Sequence, residues 1–387
     1  MLDFTYAVST KVLFGKNKIE RLDQEVEKYA RSILLVYGSE SIKKSGLYTT
    51  VTSLLDKADI KYVELSKVPP NPRIENVREG IRLCKEQGLE FLLAVGGGSV
   101  IDCAKTIAAG LYFDGDPWEM FLHGDSVIKD ALPIGTILTI AATGSEMNGN
   151  AVISNLSTEQ KLAIHHDVLR PRFSILDPTY TFTVPPNQTA VGIVDIMSHV
   201  FEQYFSPTAD AYVQDRLAEA MLKTCIYYGP LALKEPMNYE ARAQLMWTSS
   251  LALNGLLGYG KVTDWATHGI EHAVSAAYDV THGVGLAILT PWWMEYVLSN
   301  ETVEKFATYG RNVWNLSEKN NQIAAKKAIG KTREFFKSLK MPTTLRDVGI
   351  KQEKLNSMAK QAVFLGNLGK VKKLGEQDIL AILQNAF

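Results

Sequence analysis

The residues best equipped for chemistry lie between Asp195 and His282. Asp195-Ile-Met-Ser-His199 sets a carboxylate and an imidazole four residues apart, on one face if the segment is helical. His268 and His272 repeat that step, and His282 follows in Thr281-His282-Gly283. Four of the seven histidines fall in this region, while His123, His165 and His166 read as loop residues. Three neutral imidazoles and one carboxylate suit a borderline divalent ion, Fe(II) or Zn(II), rather than Ca(II) or Mg(II), which prefer oxygen. His268 and His272 share a face, so both could bind, or one could carry protons beside the ion.

A second set of signals concerns a nucleotide. Gly96-Gly-Gly-Ser99 ends an apolar run and opens a helical segment at 100–111. Glycines there let the backbone approach a pyrophosphate, and the free amides and dipole of a helix start favour negative charge. Asp102 reads equally as a nucleotide contact or as an acid complementing that helix start. Thr139-Ile-Ala-Ala-Thr143-Gly-Ser-Glu146 is a second loop offering hydroxyls and amides. Tyr37-Gly38-Ser39-Glu40-Ser41 ends another apolar run, where dinucleotide folds hold the adenosine ribose. An acid at the strand tip binds the 2′-hydroxyl and repels a 2′-phosphate; here Gly38 is the tip, with Ser39 and Ser41 after it. The stretch therefore favours NADP(H) over NAD(H), with Glu40 opposing.

The elements that must position these groups change character along the chain. Apolar runs at 32–37 and 91–95 end in glycine, as buried parallel strands do, and helical periodicity fills 47–58 and 74–87 between them. Further strands are expected at 133–140 and 173–177, with a hairpin pairing 151–154 and 161–164. Thr183-Val-Pro-Pro-Asn187 is the clearest break, after which long helical patterns take over at 187–204, 209–227, 239–256 and 265–278. Two domains are expected, 1–183 with a parallel α/β sheet and 184–387 all-helical, with the site in the cleft between them.

Composition narrows the class. A formal net charge of -1 gives no reason to expect nucleic acid or an anionic membrane as partner. No run of eighteen apolar residues and no signal peptide is apparent, and three scattered cysteines fit a reducing cytoplasm.

These motifs in this order resemble the iron-containing alcohol dehydrogenases, within them the butanol dehydrogenase and aldehyde reductase branch. The likeness runs the whole length, through Thr10-Lys-Val-Leu-Phe-Gly15, Pro70-Asn71-Pro72, Gly96 to Asp102, Thr143 to Glu146, Asp177-Pro178, the Asp195/His199 pair, His268/His272 and His282-Gly283. The resemblance implies a Rossmann-like dinucleotide-binding domain followed by an all-α metal-binding domain, the dehydroquinate synthase-like fold. It assigns Asp195, His199, His268 and His282 as metal ligands and makes His272 a proton relay near the nicotinamide. Gly97, Gly98, Ser99 and Asp102 would meet the pyrophosphate region, Thr139, Thr143 and Lys161 the nicotinamide side, and Gly38, Ser39, Ser41 and Asn71 the rest of the coenzyme. Members of the branch carry Gly-Gly-Gly-Ser after the adenosine-side strand, where this chain has Gly38-Ser-Glu-Ser41. The implied reaction is hydride transfer between a short- to medium-chain primary alcohol or aldehyde and NAD(P)(H), in a cytoplasmic homodimer built through the N-terminal segment. A dehydroquinate synthase-like or glycerol dehydrogenase-like enzyme on the same fold is one alternative, and a metallohydrolase another.

Overall fold

The apolar runs become the central strands of a parallel sheet because both of its faces are covered. In the computed structural model, which describes residues 1–387, the order runs β1 (Lys11–Phe14), α1 (Leu22–Val26), β2 (Ser32–Tyr37), α2 (Ser41–Lys44), α3 (Leu47–Lys57), β3 (Lys61–Leu65), α4 (Ile74–Gln87), β4 (Phe91–Gly96), α5 (Gly98–Gly110), α6 (Glu119–His123), β5 (Ile134–Leu138), β6 (Asn150–Asn155), β7 (Gln160–His165) and β8 (Phe173–Leu176). The helical remainder comprises α7 (Pro186–Tyr204), α8 (Tyr212–Lys234), α9 (Tyr239–Ala252), α10 (Ala266–Tyr278), α11 (His282–Val297), α12 (Val303–Trp314), α13 (Asn321–Ser338), α14 (Leu355–Ala362) and α15 (Glu376–Asn385). No helix is long and apolar enough to cross a membrane.

The six-stranded sheet has the order β1-β8-β5-β4-β2-β3 with every pairing parallel, and β6–β7 form a separate antiparallel hairpin. Alternation within strands sorts side chains onto two cores. Ile33, Leu35, Tyr37, Phe91, Leu93 and Val95 pack on one face with α1 and α3 residues, whereas Leu34, Val36, Leu92 and Ala94 pack on the other with α4 and α5. From β2 the chain first adds β3 on one side, then crosses to place β4 on the other and β5 beyond it. The connections thus diverge at the β2/β4 pair, which makes their carboxyl ends a topological switch point, the usual ligand crevice of an open α/β sheet. Tyr37-Gly38 and Gly96-Gly97 are those two ends.

Two compact units emerge, and their division is more than one cut. The sheet unit comprises Ala7–Pro185 together with Pro236–Ser250; the helical unit comprises Met1–Tyr6, Pro186–Glu235 and Leu251–Phe387. Within the sheet unit, Met246 joins the core, Trp247 meets Phe14 edge-on at 5.9 Å, and the Ser250 hydroxyl bonds buried Glu146.

Gly135 of β5 sits opposite Phe173 of β8, and a methyl group there would lie 2.4 Å from the ring. Gly135→Ala is expected to destabilise the fold by about 1–3 kcal/mol through overpacking, read as a lower urea midpoint with unchanged slope. An unchanged midpoint would show that the buried ring can step aside.

Candidate functional site

In the helical unit, α7 carries Asp195, His199 and Glu202 along one stripe, because steps of four and seven residues return to the same face. α10 does the same with His268, Glu271, His272 and Ser275. Asp279 takes a left-handed conformation as the C-cap of α10 (φ 52°), and the chain re-enters a helix at once with His282 as the first residue of α11. This short reversal brings His282 back beside α10.

The ligand-type atoms of Asp195, His268 and His282 all lie within 4.8 Å of one another. Asp195 Oδ1 stands 3.6 Å from His282 Nε2 and 3.6 Å from His199 Nδ1. Two ligand atoms each about 2.1 Å from a tetrahedral ion stand about 3.4 Å apart, so these separations match a shared cation better than a hydrogen bond. Asp195 Oδ1, His199 Nδ1 and His268 Nε2 are buried with no hydrogen-bond partner. Unpartnered buried acceptors are costly, and a divalent ion satisfies them together. Burial pushes His199 down to about 3, with His268 and His282 adding to the effect and Asp195 opposing it, so its imidazole stays neutral as a ligand must. His199 adjoins His268, with ring centroids 4.7 Å apart.

Two carboxylates absent from the sequence reading fix the imidazoles. Glu202 Oε1 accepts from the His268 backbone amide at 2.9 Å and lies 3.0 Å from its Nδ1. Glu271 Oε2 pairs with His282 Nδ1, while its other oxygen accepts from Ser275. A carboxylate accepts only, so each Nδ1 carries the proton and each Nε2 keeps its lone pair toward Asp195. The spacing held the signal: Glu202 falls three residues after His199, and Glu271 three after His268. His272 forms a second cluster with Glu271 and His282, their ligand-type atoms again within 4.8 Å. Trp265 is held left-handed (φ 66°) and donates its indole N–H to Thr263, with its ring 5.3 Å from that of His268. Asn254 and Leu257 are almost fully buried.

In the sheet unit, the glycine turn lies at the switch point, and α5 starts from Gly97 without a side-chain cap. The turn is wedged tight: a methyl group on Gly97 would lie 2.3 Å from Ile140, and one on Gly98 would lie 2.4 Å from the Thr143 hydroxyl. Packing of the second loop alone therefore requires glycine here. Thr139 begins that loop, its amide donating to the Gly96 carbonyl at 3.1 Å. Ser99, Thr139 and Thr143 are partly exposed, Ser39 and Ser41 exposed, and a methyl on Gly38 would lie 3.6 Å from Val100 of α5. The first glycine stretch and the adenosine-side tip thus come together. Asp102 is instead buried, its oxygens accepting from the Ser145 hydroxyl at 2.6 Å and the Val152 amide at 3.1 Å. Lys161 donates to Asn71 at 3.0 Å, both side chains buried, with Asn71 left-handed between Pro70 and Pro72.

Both halves of the chain match known proteins. The model for iron-containing alcohol dehydrogenase matches residues 9–178, and that for the C-terminal part of the Fe-containing alcohol dehydrogenase family matches residues 189–387. The chain is 55% identical to NADH-dependent butanol dehydrogenase B of Clostridium acetobutylicum, over the whole of both chains. It is 42% identical to the NADPH-dependent aldehyde reductase YqhD of Escherichia coli, with 93% of each covered. The crystal structure of NADH-dependent butanol dehydrogenase A from Thermotoga maritima superposes with a TM-score of 0.96 at 37% identity, covering 100% of this chain and 99% of that one. With both halves matched in order and the ligand-type cluster in the second, the chain belongs to the iron-containing alcohol dehydrogenase family.

Proposed function

We propose that this chain interconverts short- to medium-chain primary alcohols and aldehydes, of the butanol and butanal type, with one divalent ion, Fe(II) or Zn(II), held by Asp195, His199, His268 and His282. As a member of its family it is an oxidoreductase acting on CH–OH groups. The single observation carrying the metal reading is the cluster of Asp195, His268 and His282, whose ligand-type atoms lie within 4.8 Å of one another while Asp195 Oδ1 and His268 Nε2 are buried without hydrogen-bond partners; His199 Nδ1 joins it at 3.6 Å from Asp195 Oδ1. When bound, the ion supplies a Lewis acid for the substrate oxygen and the nicotinamide exchanges a hydride with the substrate carbon. The chain's own part is to hold neutral imidazoles in register: Glu202 and Glu271 fix the protons on His268 and His282 at Nδ1. His272, half-buried with its ring 5.6 Å from that of His282, is the proposed proton relay. The coenzyme lies along Gly38, Ser39, Ser41 and Asn71, then Gly97, Gly98 and Ser99, and reaches Thr139, Thr143 and Lys161. Asp102 acts on this region through Ser145. Nothing in the comparisons favours the lyase or metallohydrolase alternatives.

Coenzyme choice turns on Glu40. The glycine and serines around it admit a 2′-phosphate, the basis for expecting NADP(H). Glu40 is exposed at the strand tip, 3.7 Å from Lys43 Nζ, and its carboxylate would repel a 2′-phosphate entering there. The relative at 55% identity is named NADH-dependent, the one at 42% NADPH-dependent. On this balance NAD(H) becomes the preferred coenzyme. The exposed apolar N-terminus, with Met1, Leu2, Phe4 and Tyr6 about half accessible, supports a homodimer through that segment, and three free buried cysteines support a cytoplasmic location.

Metal-loaded protein should oxidise NADH on addition of butanal, followed by near-ultraviolet absorbance, and lose that activity on chelation; no oxidation with any aldehyde would sink the proposal. Glu40→Ser is expected to move the kcat/KM ratio toward NADPH by about threefold, since a charge interaction at an exposed position is worth about 0.2–1 kcal/mol. An unmoved ratio would place discrimination elsewhere.

Elemental analysis should find His268→Ala and His282→Ala stripped of metal, while His272→Ala keeps its ion but turns over about 10²-fold or more slowly. Full metal content in the first two would refute the ligand set. Glu202→Gln should weaken zinc binding roughly 10–100-fold in chelator competition.

A further inference from the structure

We infer that Lys105 is a positioning residue for coenzyme binding: its buried ammonium anchors the loop that walls the glycine turn. The inference rests on the reading of that turn as the coenzyme site. Lys105 lies on α5, is fully buried, and donates to Ser145 Oγ at 2.8 Å, Asn148 Oδ1 at 3.0 Å and the Asn150 carbonyl at 2.8 Å. An ammonium has three donors, and all three are spent on one stretch of chain, residues 145–150.

The bonds run onward to the coenzyme wall. Ser145 donates its own hydroxyl hydrogen bond to Asp102 Oδ1 at 2.6 Å, so a cation and an anion on α5 grip the same hydroxyl. Asn148 Nδ2 donates to the Gly144 carbonyl at 2.9 Å, and the Ser145 amide donates to the Thr143 hydroxyl at 3.2 Å. Thr143 occupies the space beside Gly98 that a methyl group would need, 2.4 Å from its hydroxyl oxygen. Residues 139–144 contain no regular element, so side-chain bonds must hold what a ladder does not.

Burying a lysine costs several kcal/mol, and an apolar residue of similar length would fill the same space. Burial pushes this ammonium down to about 7, with Asp102 and Glu146 opposing the fall. A costly cation with every donor committed to one loop is best explained by the geometry it imposes on Thr143 and the glycine turn.

The test uses the metal-loaded, full-length protein, with NADH and NADPH as the probes in calorimetric titration and steady-state kinetics. Lys105→Met is expected to raise the NADH dissociation constant and KM about tenfold or more, because loose positioning of a contact surface costs that much. Metal content and the KM for butanal should stay unchanged. A folded Lys105→Met with unaltered NADH affinity overturns the inference. Should Lys105→Met fail to fold, Ser145→Ala decides: a rise of about threefold supports it, being a loss of about 0.7 kcal/mol, and no rise overturns it. Wild-type protein that binds neither coenzyme would sink the coenzyme reading, and the inference with it. That result is distinct from variants that bind as well as wild type.

Discussion

The helical unit is built around acceptors that face one another with nothing between them to donate. Asp195 Oδ1 stands 3.6 Å from His282 Nε2, too far for a hydrogen bond, and the ligand-type atoms of Asp195, His268 and His282 lie within 4.8 Å of one another. The surrounding structure follows from that demand. α7 presents Asp195 and His199 on one stripe, α10 presents His268, and the tight turn at Asp279 returns His282 at the head of α11. Helices can approach this closely only where side chains are removed. A methyl on Gly283 would lie 2.5 Å from the Val191 carbonyl, and one on Gly285 would lie 2.7 Å from Glu271. The glycine after His282 is thus a packing requirement of the same centre.

The sheet unit answers a parallel problem with opposite charge. Its glycine turn must stay open on one side while a loop without regular hydrogen bonding presses against the other. The solution is a buried ion group, Lys105 with Asp102, whose bonds are complete and whose geometry is passed through Ser145 and Asn148. In both units a charged side chain in a low-dielectric interior is held by specific polar partners, Glu202 on His268 and Lys105 on Ser145, Asn148 and the Asn150 carbonyl. Such groups specify one arrangement where apolar packing would accept several.

How much of this was legible in the sequence depended on whether the signal was local. β2, β4, the β6–β7 hairpin and α4 were readable because continuous apolar runs or a 3.6-residue period mark them within a few residues. β3 escaped because Lys-Tyr-Val-Glu-Leu is a sheet-edge strand with little burial, so no apolar run announces it. The attachment of residues 236–250 to the sheet unit has no local mark at all: Met246 and Trp247 look like any amphipathic helix. At the site, the histidine steps stood out because the chain is poor in that residue. Glu202 and Glu271 did not, since acids at helical spacing usually lie on a solvated face. Only the fold reveals them as almost fully buried against His268 and His282.

Those two glutamates also bear on stability. Asp195, Glu202 and Glu271 place three carboxylates in a small buried volume, and Glu202 Oε2 lacks any hydrogen-bond partner. Like charges at such depth repel, and each has lost its hydration. Protons on the His268 and His282 Nδ1 atoms offset part of that cost, but they leave the acceptors facing Asp195 uncompensated. The proposed divalent ion adds positive charge at the point where the three helices converge. Its binding free energy therefore contributes to holding α7, α10 and α11 together, because a cation that binds only the folded state stabilises it by mass action. On this reading the carboxylates that orient the imidazoles also make the helical unit dependent on its ion, and ligand geometry and fold stability rest on the same few atoms.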